Sequence, residues 1–219
     1  MIRSLAPLAA MLALAGCGGQ AEGDAPANAA NTAAPDKAAR AAEPVPDTAR
    51  VRLETAAGAI VLELDGRRAP VTAANFLRYV EEGRFDGTTF YRAAPTQGAP
   101  ERGFIQGGIR RAYRRMLPPI VHEPTSETGL RHEAGTISMA RGAPGMAMGE
   151  FFITVSAMPQ MDARGDEPGY AAFGRVVEGM DVVRAILAMP ADPQAGSGAM
   201  RGQMLTQPVT IATARRMDR

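Results

Sequence analysis

From residue 50 onward the chain predicts a mainly β fold, a closed antiparallel barrel capped by two helices. Three observations carry this. Several short runs alternate apolar and polar residues, turn residues separate those runs, and helical periodicity is confined to two segments.

The elements follow in order. Val51, Leu53 and Thr55 alternate with polar neighbours, as do Ile60, Leu62 and Leu64 after the Ala57-Gly58 turn, so 51–64 reads as a hairpin with one buried face. Pro70 to Glu82 reads as a helix: Ala73, Phe76, Leu77 and Val80 fall on one stripe, and Gly83 stops it. Asp86-Gly87 turns the chain into a run at Thr88–Arg92. Further strands are predicted at 135–140, 151–155, 172–177 and 209–214, and a second helix at 180–188.

The start of the chain differs in kind. Arg3 is followed by a short apolar run, Leu5 to Leu14, too short to span a bilayer. The run ends in Leu14-Ala15-Gly16-Cys17, which resembles a bacterial lipobox. That resemblance implies a lipoprotein signal peptide at 1–16 and lipidation of Cys17, the only cysteine. Each lipid methylene buried adds about 0.8 kcal/mol, so the mature protein would be anchored to the membrane without spanning it. By resemblance to the usual lipoprotein sorting pattern, Gly18 after the cysteine implies the outer membrane, facing the periplasm. Residues 17–49 then read as a disordered Ala/Pro-rich linker. Of the 32 residues after Cys17, twelve are alanine, four are proline and none is aromatic, so little apolar area is available to offset ordering entropy. A single domain, 50–219, remains.

Composition narrows the chemistry. The net charge of +1 and the absence of a basic face argue against nucleic acid as a partner. Arg110, Arg111, Arg114 and Arg115 cluster just before Pro118-Pro119 and read as a solvated loop, with a phosphate or acidic site as the lesser reading. His122 and His132 lack a two-histidine helical spacing, so no metal site is expected. Ser138 lacks a G-x-S-x-G setting, which argues against an esterase. No cofactor is implied.

What stands out is a groove. The strings TTFYR (88–92), FIQGG (104–108) and EFFIT (150–154) place one fixed cation, one amide and several aromatics on short β-like runs. Such a groove suits a reaction that only rotates a bond. A peptide C–N bond resists rotation by about 18–20 kcal/mol, and Xaa-Pro isomerisation takes tens to hundreds of seconds unaided. As the amide twists, the proline nitrogen regains a lone pair, and a donor aimed at it helps only in the twisted state.

These strings, with APVTAANF, GTISMAR and YAAFGRVVEGMDVV, stand in the order of the cyclophilin-type peptidyl-prolyl cis-trans isomerases, which the chain resembles from about Val51 to Ala214. The resemblance implies an eight-stranded antiparallel barrel with the active groove outside it, no covalent intermediate, and proline-containing peptides or unfolded envelope proteins as substrates. It implies a monomer that meets the membrane only through its lipid. Residue by residue, Arg92 and Gln106 match the family's catalytic arginine and its glutamine. Phe104, Met139, Ala140, Glu150, Phe152, Met161 and Tyr170 match or approach its substrate-binding positions.

Three departures stand out. The run between Arg92 and Gln106 is longer than in the family, with Gly103 where the family carries phenylalanine and Phe104 one position off, which points that side chain at the other strand face. Glu150 replaces a glutamine; ionised, it only accepts hydrogen bonds, and beside Arg92 it would compete with substrate. Gln160 replaces an aromatic. These changes leave a second reading open, a non-catalytic module on the same fold that binds proline segments or holds unfolded chains.

Overall fold

The computed structural model of the chain describes residues 45–110 and 112–217. The signal segment, Cys17 and the linker up to residue 44 lie outside the described residues, as does Arg111. The element order is β1 (Thr48–Thr55), β2 (Gly58–Asp65), α1 (Pro70–Glu81), β3 (Thr88–Thr96), β4 (Ala99–Gly108), α2 (Thr125–Thr128), β5 (Thr136–Met139), β6 (Glu150–Thr154), β7 (Ala171–Glu178), α3 (Met180–Leu187), β8 (Ala191–Asp192) and β9 (Met204–Arg216).

Eight strands close the barrel in the order β1-β2-β7-β5-β6-β4-β3-β9, and β9 pairs back onto β1 with Leu53 opposite Ala214. All pairs are antiparallel. The two-residue β8 only flanks the start of β9, with Asp192 opposite Met204. The 51–64 hairpin forms in the predicted register, Val51 facing Leu62 and Leu53 facing Ile60, and all four side chains are fully buried.

Both predicted helices form. Pro70 sits in the first turn of α1, where its missing N–H costs nothing. The neighbouring donors are met from far along the chain: the Glu123 carboxylate accepts from Val71 N at 3.0 Å and Thr72 N at 2.8 Å. The apolar stripe of α1 enters the core, where Phe76 packs on Phe85, Phe151 and Phe173 with centroids 5.0, 5.3 and 5.3 Å away. The amphipathic α3 buries Val183, Ile186 and Leu187. A third helix, α2, is a single turn, too short for periodicity to reveal.

Several strands run longer than predicted, and two of the extensions, in β9 and in the β3–β4 hairpin, bear on the site. β9 begins at Met204, ahead of Val209, and Pro208 lies where its pairing to β3 jumps from Phe90–Val209 to Arg92–Met204. A proline is tolerated at such an irregularity because no ladder N–H is required there. β3 continues to Thr96 and returns through Gln97-Gly98 into β4, so the extra residues after Arg92 lengthen this hairpin. Pairing shifts again between Pro95–Gly103 and Thr96–Ala99, leaving Pro100, Glu101 and Arg102 bulged. Gly103 is required at that point: its φ is +130°, and a Cβ there would stand 2.1 Å from the Ala94 carbonyl oxygen.

Candidate active site

One cross-strand row builds the site. Arg92 on β3 lies opposite Gln106 on β4, which lies opposite Phe152 on β6, which lies opposite Ser138 on β5. Residues in such a row share a face, here the outside of the barrel, while Phe151 points into the core. A bulge between Phe90 and Arg92 brings Tyr91 to the same outer side, since Tyr91 reaches the partners of Gln106. The paired glycines of FIQGG let the strands approach. A Cβ on Gly108, whose φ is +120°, would meet the Gly149 carbonyl oxygen at 2.2 Å.

Arg92 is held from both sides. Its Nη1 donates to Gln106 Oε1 at 2.8 Å, while Nε and Nη2 donate to Gln203 Oε1 at 2.9 and 2.6 Å. Nη2 also lies 3.5 Å from the Ala199 carbonyl oxygen, and the guanidinium sits 4.9 Å above the Phe104 ring. A guanidinium has five N–H donors. Four of them have acceptors among the described residues, and the second Nη1 hydrogen has none there. Burial lowers the Arg92 pKa, yet an arginine keeps its proton at neutral pH.

Gln106 is fixed in turn. Its Nε2 donates to Tyr91 Oη at 2.8 Å and to Glu150 Oε2 at 3.3 Å, and Tyr91 donates to the same carboxylate oxygen at 2.9 Å. Both acceptors, Tyr91 Oη and Glu150 Oε2, hold the amide nitrogen away from Arg92, so the amide oxygen must face the guanidinium. The expected competition of Glu150 for Arg92 is therefore corrected: Glu150 binds behind Gln106. As an acceptor-only group it fits two converging donors. Burial, with the adjacent carboxylate, pushes the Tyr91 phenol far above its usual range and keeps it a donor.

A cleft of about 460 Å³ opens beside this row. Of the residues named from sequence, Arg92, Phe104, Gln106, Ala140, Glu150, Phe152, Met161 and Tyr170 line it. Phe152 is central, with Phe104 at 5.3 Å and Tyr170 edge-on at 5.4 Å between ring centroids. Phe104 faces the cleft, contrary to the reading from its offset, because it stands two residues before Gln106 on one strand and shares its face. Met139 does not line the cleft. It lies opposite Phe151 in β5, 1% exposed in the barrel interior, and is a core residue. Gln160 is exposed and does not line the cleft.

Behind Phe152 lies an arrangement that sequence reasoning did not anticipate. His132 stacks on Phe152 with centroids 5.7 Å apart and rings within 10° of parallel. Its Nδ1 lies 2.6 Å from Asp162 Oδ1, and its Nε2 lies 2.9 Å from Ser138 Oγ. The network assigns the Nδ1 proton to the carboxylate contact and has Ser138 donate to Nε2. Serine, histidine and aspartate stand as in a hydrolase triad. Ser138 and His132 are 0% and 1% exposed, so no substrate reaches them, and the relay instead ties the floor of the cleft to the loop carrying Met161. His122 stands apart, 3.0 Å from the Pro168 carbonyl oxygen.

Burial, opposed by Asp162, lowers the His132 pKa below its ordinary value of 6.5. The unfolded chain then takes up a proton that the native one refuses. Stability is full above pH 6.5 and falls as pH drops below it. Urea midpoints measured from pH 7.5 to 5 should decline on the acid side in the native sequence. His132→Asn should flatten that decline, and an unchanged profile in this variant would remove His132 as its cause.

The arginine cluster separates into roles. Arg110 adopts a φ of +42° and lies 4.7 Å over the Tyr91 ring at the rim of the cleft. Arg115 donates to the Asp86 carbonyl oxygen at 2.6 Å. Gln203, Met200 and Tyr91 were missed from sequence. Tyr91 was next to a named residue, whereas Gln203 is reached only through the pairing of β9 with β3.

Comparison with known proteins agrees with this geometry. The family described as "Cyclophilin type peptidyl-prolyl cis-trans isomerase/CLD" matches residues 50–216. The peptidyl-prolyl cis-trans isomerase cyp18 of Streptomyces antibioticus is 38% identical over 169 residues, covering 75% of this chain and 96% of that protein. Peptidyl-prolyl cis-trans isomerase A of Dickeya dadantii is 40% identical over 137 residues, covering 62% and 70% respectively. The crystal structure of a cyclophilin-type isomerase from Cryptosporidium parvum superposes with a TM-score of 0.62 at 22% identity, covering 78% of this chain and 99% of that one. With its eight-stranded barrel and a family match spanning nearly all of the described residues, the chain belongs to the cyclophilin-type peptidyl-prolyl cis-trans isomerases.

Proposed function

We propose that the cleft accelerates rotation about Xaa-Pro bonds in cell-envelope proteins during their folding, with Arg92 as the catalytic residue. The observation that carries this reading is the row Arg92–Gln106–Phe152, which sets a fixed cation beside an apolar seat. The proline ring rests on Phe152 among Phe104, Met161, Tyr170 and Ala140. The remaining Nη1 hydrogen of Arg92 meets the twisting amide. A hydrogen bond to a charged group contributes about 1.5–3 kcal/mol, whereas a millionfold acceleration needs about 8 kcal/mol. The balance comes from desolvation and from holding the ring while the flanking chain turns. Isomerisation breaks no covalent bond, so neither nucleophile nor cofactor is required. A protease-coupled cis/trans assay on a short Xaa-Pro peptide tests the reading, and turnover no faster than solvent would end it.

The envelope setting rests on the lipobox-like Leu14-Ala15-Gly16-Cys17 and the Ala/Pro-rich stretch after it. Lipidation of Cys17 anchors a monomeric domain to the outer membrane, facing the periplasm, on a tether that lets it reach unfolded clients. Among the described residues no helix is long and apolar enough to cross a membrane. A Cys17→Ser variant should therefore leave the membrane fraction in detergent-free fractionation. Retention of that variant in the membrane would refute anchoring through Cys17.

A further inference from the structure

We propose that Gln203 is a positioning residue for Arg92 and that the 193–203 loop forms part of the active site; the proposal rests on the isomerase reading of the cleft. The loop leaves β8 at Asp192 and re-enters β9 at Met204, and these two residues pair, so its ends are pinned together. Internal bonds hold its path: Gly202 N donates to the Ala195 carbonyl oxygen at 2.9 Å, and Arg201 Nη2 to Gln194 Oε1 at 3.1 Å. Gln203 is fastened beside the catalytic group by its own backbone, since its carbonyl oxygen accepts from Ala93 N at 3.0 Å.

The chemistry favours an amide here. Gln106 alone grips one nitrogen of the guanidinium and would let the fork swing about that contact. A second oxygen on Nε and Nη2 fixes the plane, and Phe104 beneath it limits tilting. Gln203 does this without formal charge, so the cation that meets the substrate is not neutralised. With the two amides taking three of the five N–H donors and the Ala199 carbonyl a fourth, a single Nη1 hydrogen remains on the arginine that lines the cleft, and Met200 of the same loop adds an apolar wall.

The test uses the full chain and follows both turnover and the Arg92 Nε–H signal in ¹⁵N NMR, identified by its loss in Arg92→Ala. In the native sequence this signal should be sharp and protected from solvent exchange. Gln203→Leu keeps the volume but removes the acceptor. It should lower kcat about tenfold, the effect of one charge-assisted hydrogen bond, leave KM within about twofold, and broaden the Nε–H signal. Gln203→Glu restores an acceptor and should restore that signal. The proposal is overturned if the native Nε–H exchanges freely. It is also overturned if Gln203→Leu changes neither kcat nor the signal, or lowers kcat with the signal intact, which would mark a structural effect only. Absence of turnover in the native chain would sink the isomerase reading instead, and the Nε–H measurement stands without turnover, even if Gln203→Leu fails to fold.

Discussion

Arg92→Ala should lower kcat/KM on an Xaa-Pro peptide by about a hundredfold, the loss of one well-aimed charged donor in a partly desolvated site. The fold should survive, because Arg92 is half-buried on the outside of the barrel and its partners can turn to water. Most of the loss should fall on kcat, since the donor strengthens only as the amide twists. Arg92→Lys should recover little. A lysine ammonium has no planar fork to bridge Gln106 and Gln203, and no flat cation to lie over Phe104. Stopped cis/trans assays on both variants, with circular dichroism to check folding, decide the matter. A loss below about threefold in Arg92→Ala would mean that the apolar seat alone supplies the rate.

The largest effect on stability is expected at Phe76. Its ring is fully buried and meets three other aromatic rings within 5.3 Å, so Phe76→Ala opens a cavity that rigid strands on several sides cannot close. The expected loss is about 3–5 kcal/mol, a large share of the roughly 5–15 kcal/mol that holds a typical domain together. For a domain of this size the melting temperature should fall by about 10 °C. Phe76→Leu refills part of the volume and should lose less. Because alanine has the better helix propensity, that order would assign the loss to the cavity and not to the helix. A melting temperature in Phe76→Ala within about 3 °C of the native value would show that the barrel end relaxes around the gap.

Period and punctuation carried most of the fold. Val51, Leu53, Ile60 and Leu62 reveal their hairpin because one face is buried and the other wet, and the stripe from Ala73 to Val80 reveals its helix for the same reason. What escaped depends on residues brought together from afar. Glu123 caps a helix that begins at Pro70, and Gln203 grips an arginine on another strand; neither spacing leaves a local pattern. The motif resemblance places Met139 at the cleft, whereas strand alternation hands its side chain to the core and leaves the cleft to Ala140. Phe104 shows the opposite case. Its motif position was off by one, but the two-residue step to Gln106 already placed both on one face.

The pairing of β1 with β9 sets the order in which the molecule can be finished. The first strand of the barrel finds its second neighbour in the last, so Leu53 waits for Ala214. Until those final residues emerge, a growing chain carries two open sheet edges, on β1 and on β3, that nothing upstream can cover. Closure links the most distant parts of the domain, the kind of contact that forms late and slowly. The part of the chain that emerges first can assemble the hairpin of β1 and β2 early, but the seam and the Gln203 contact with Arg92 come together only once the last strand is present. The barrel is thus sealed and its arginine set in place by the same late strand, so a chain truncated before Met204 should be both open-edged and inactive.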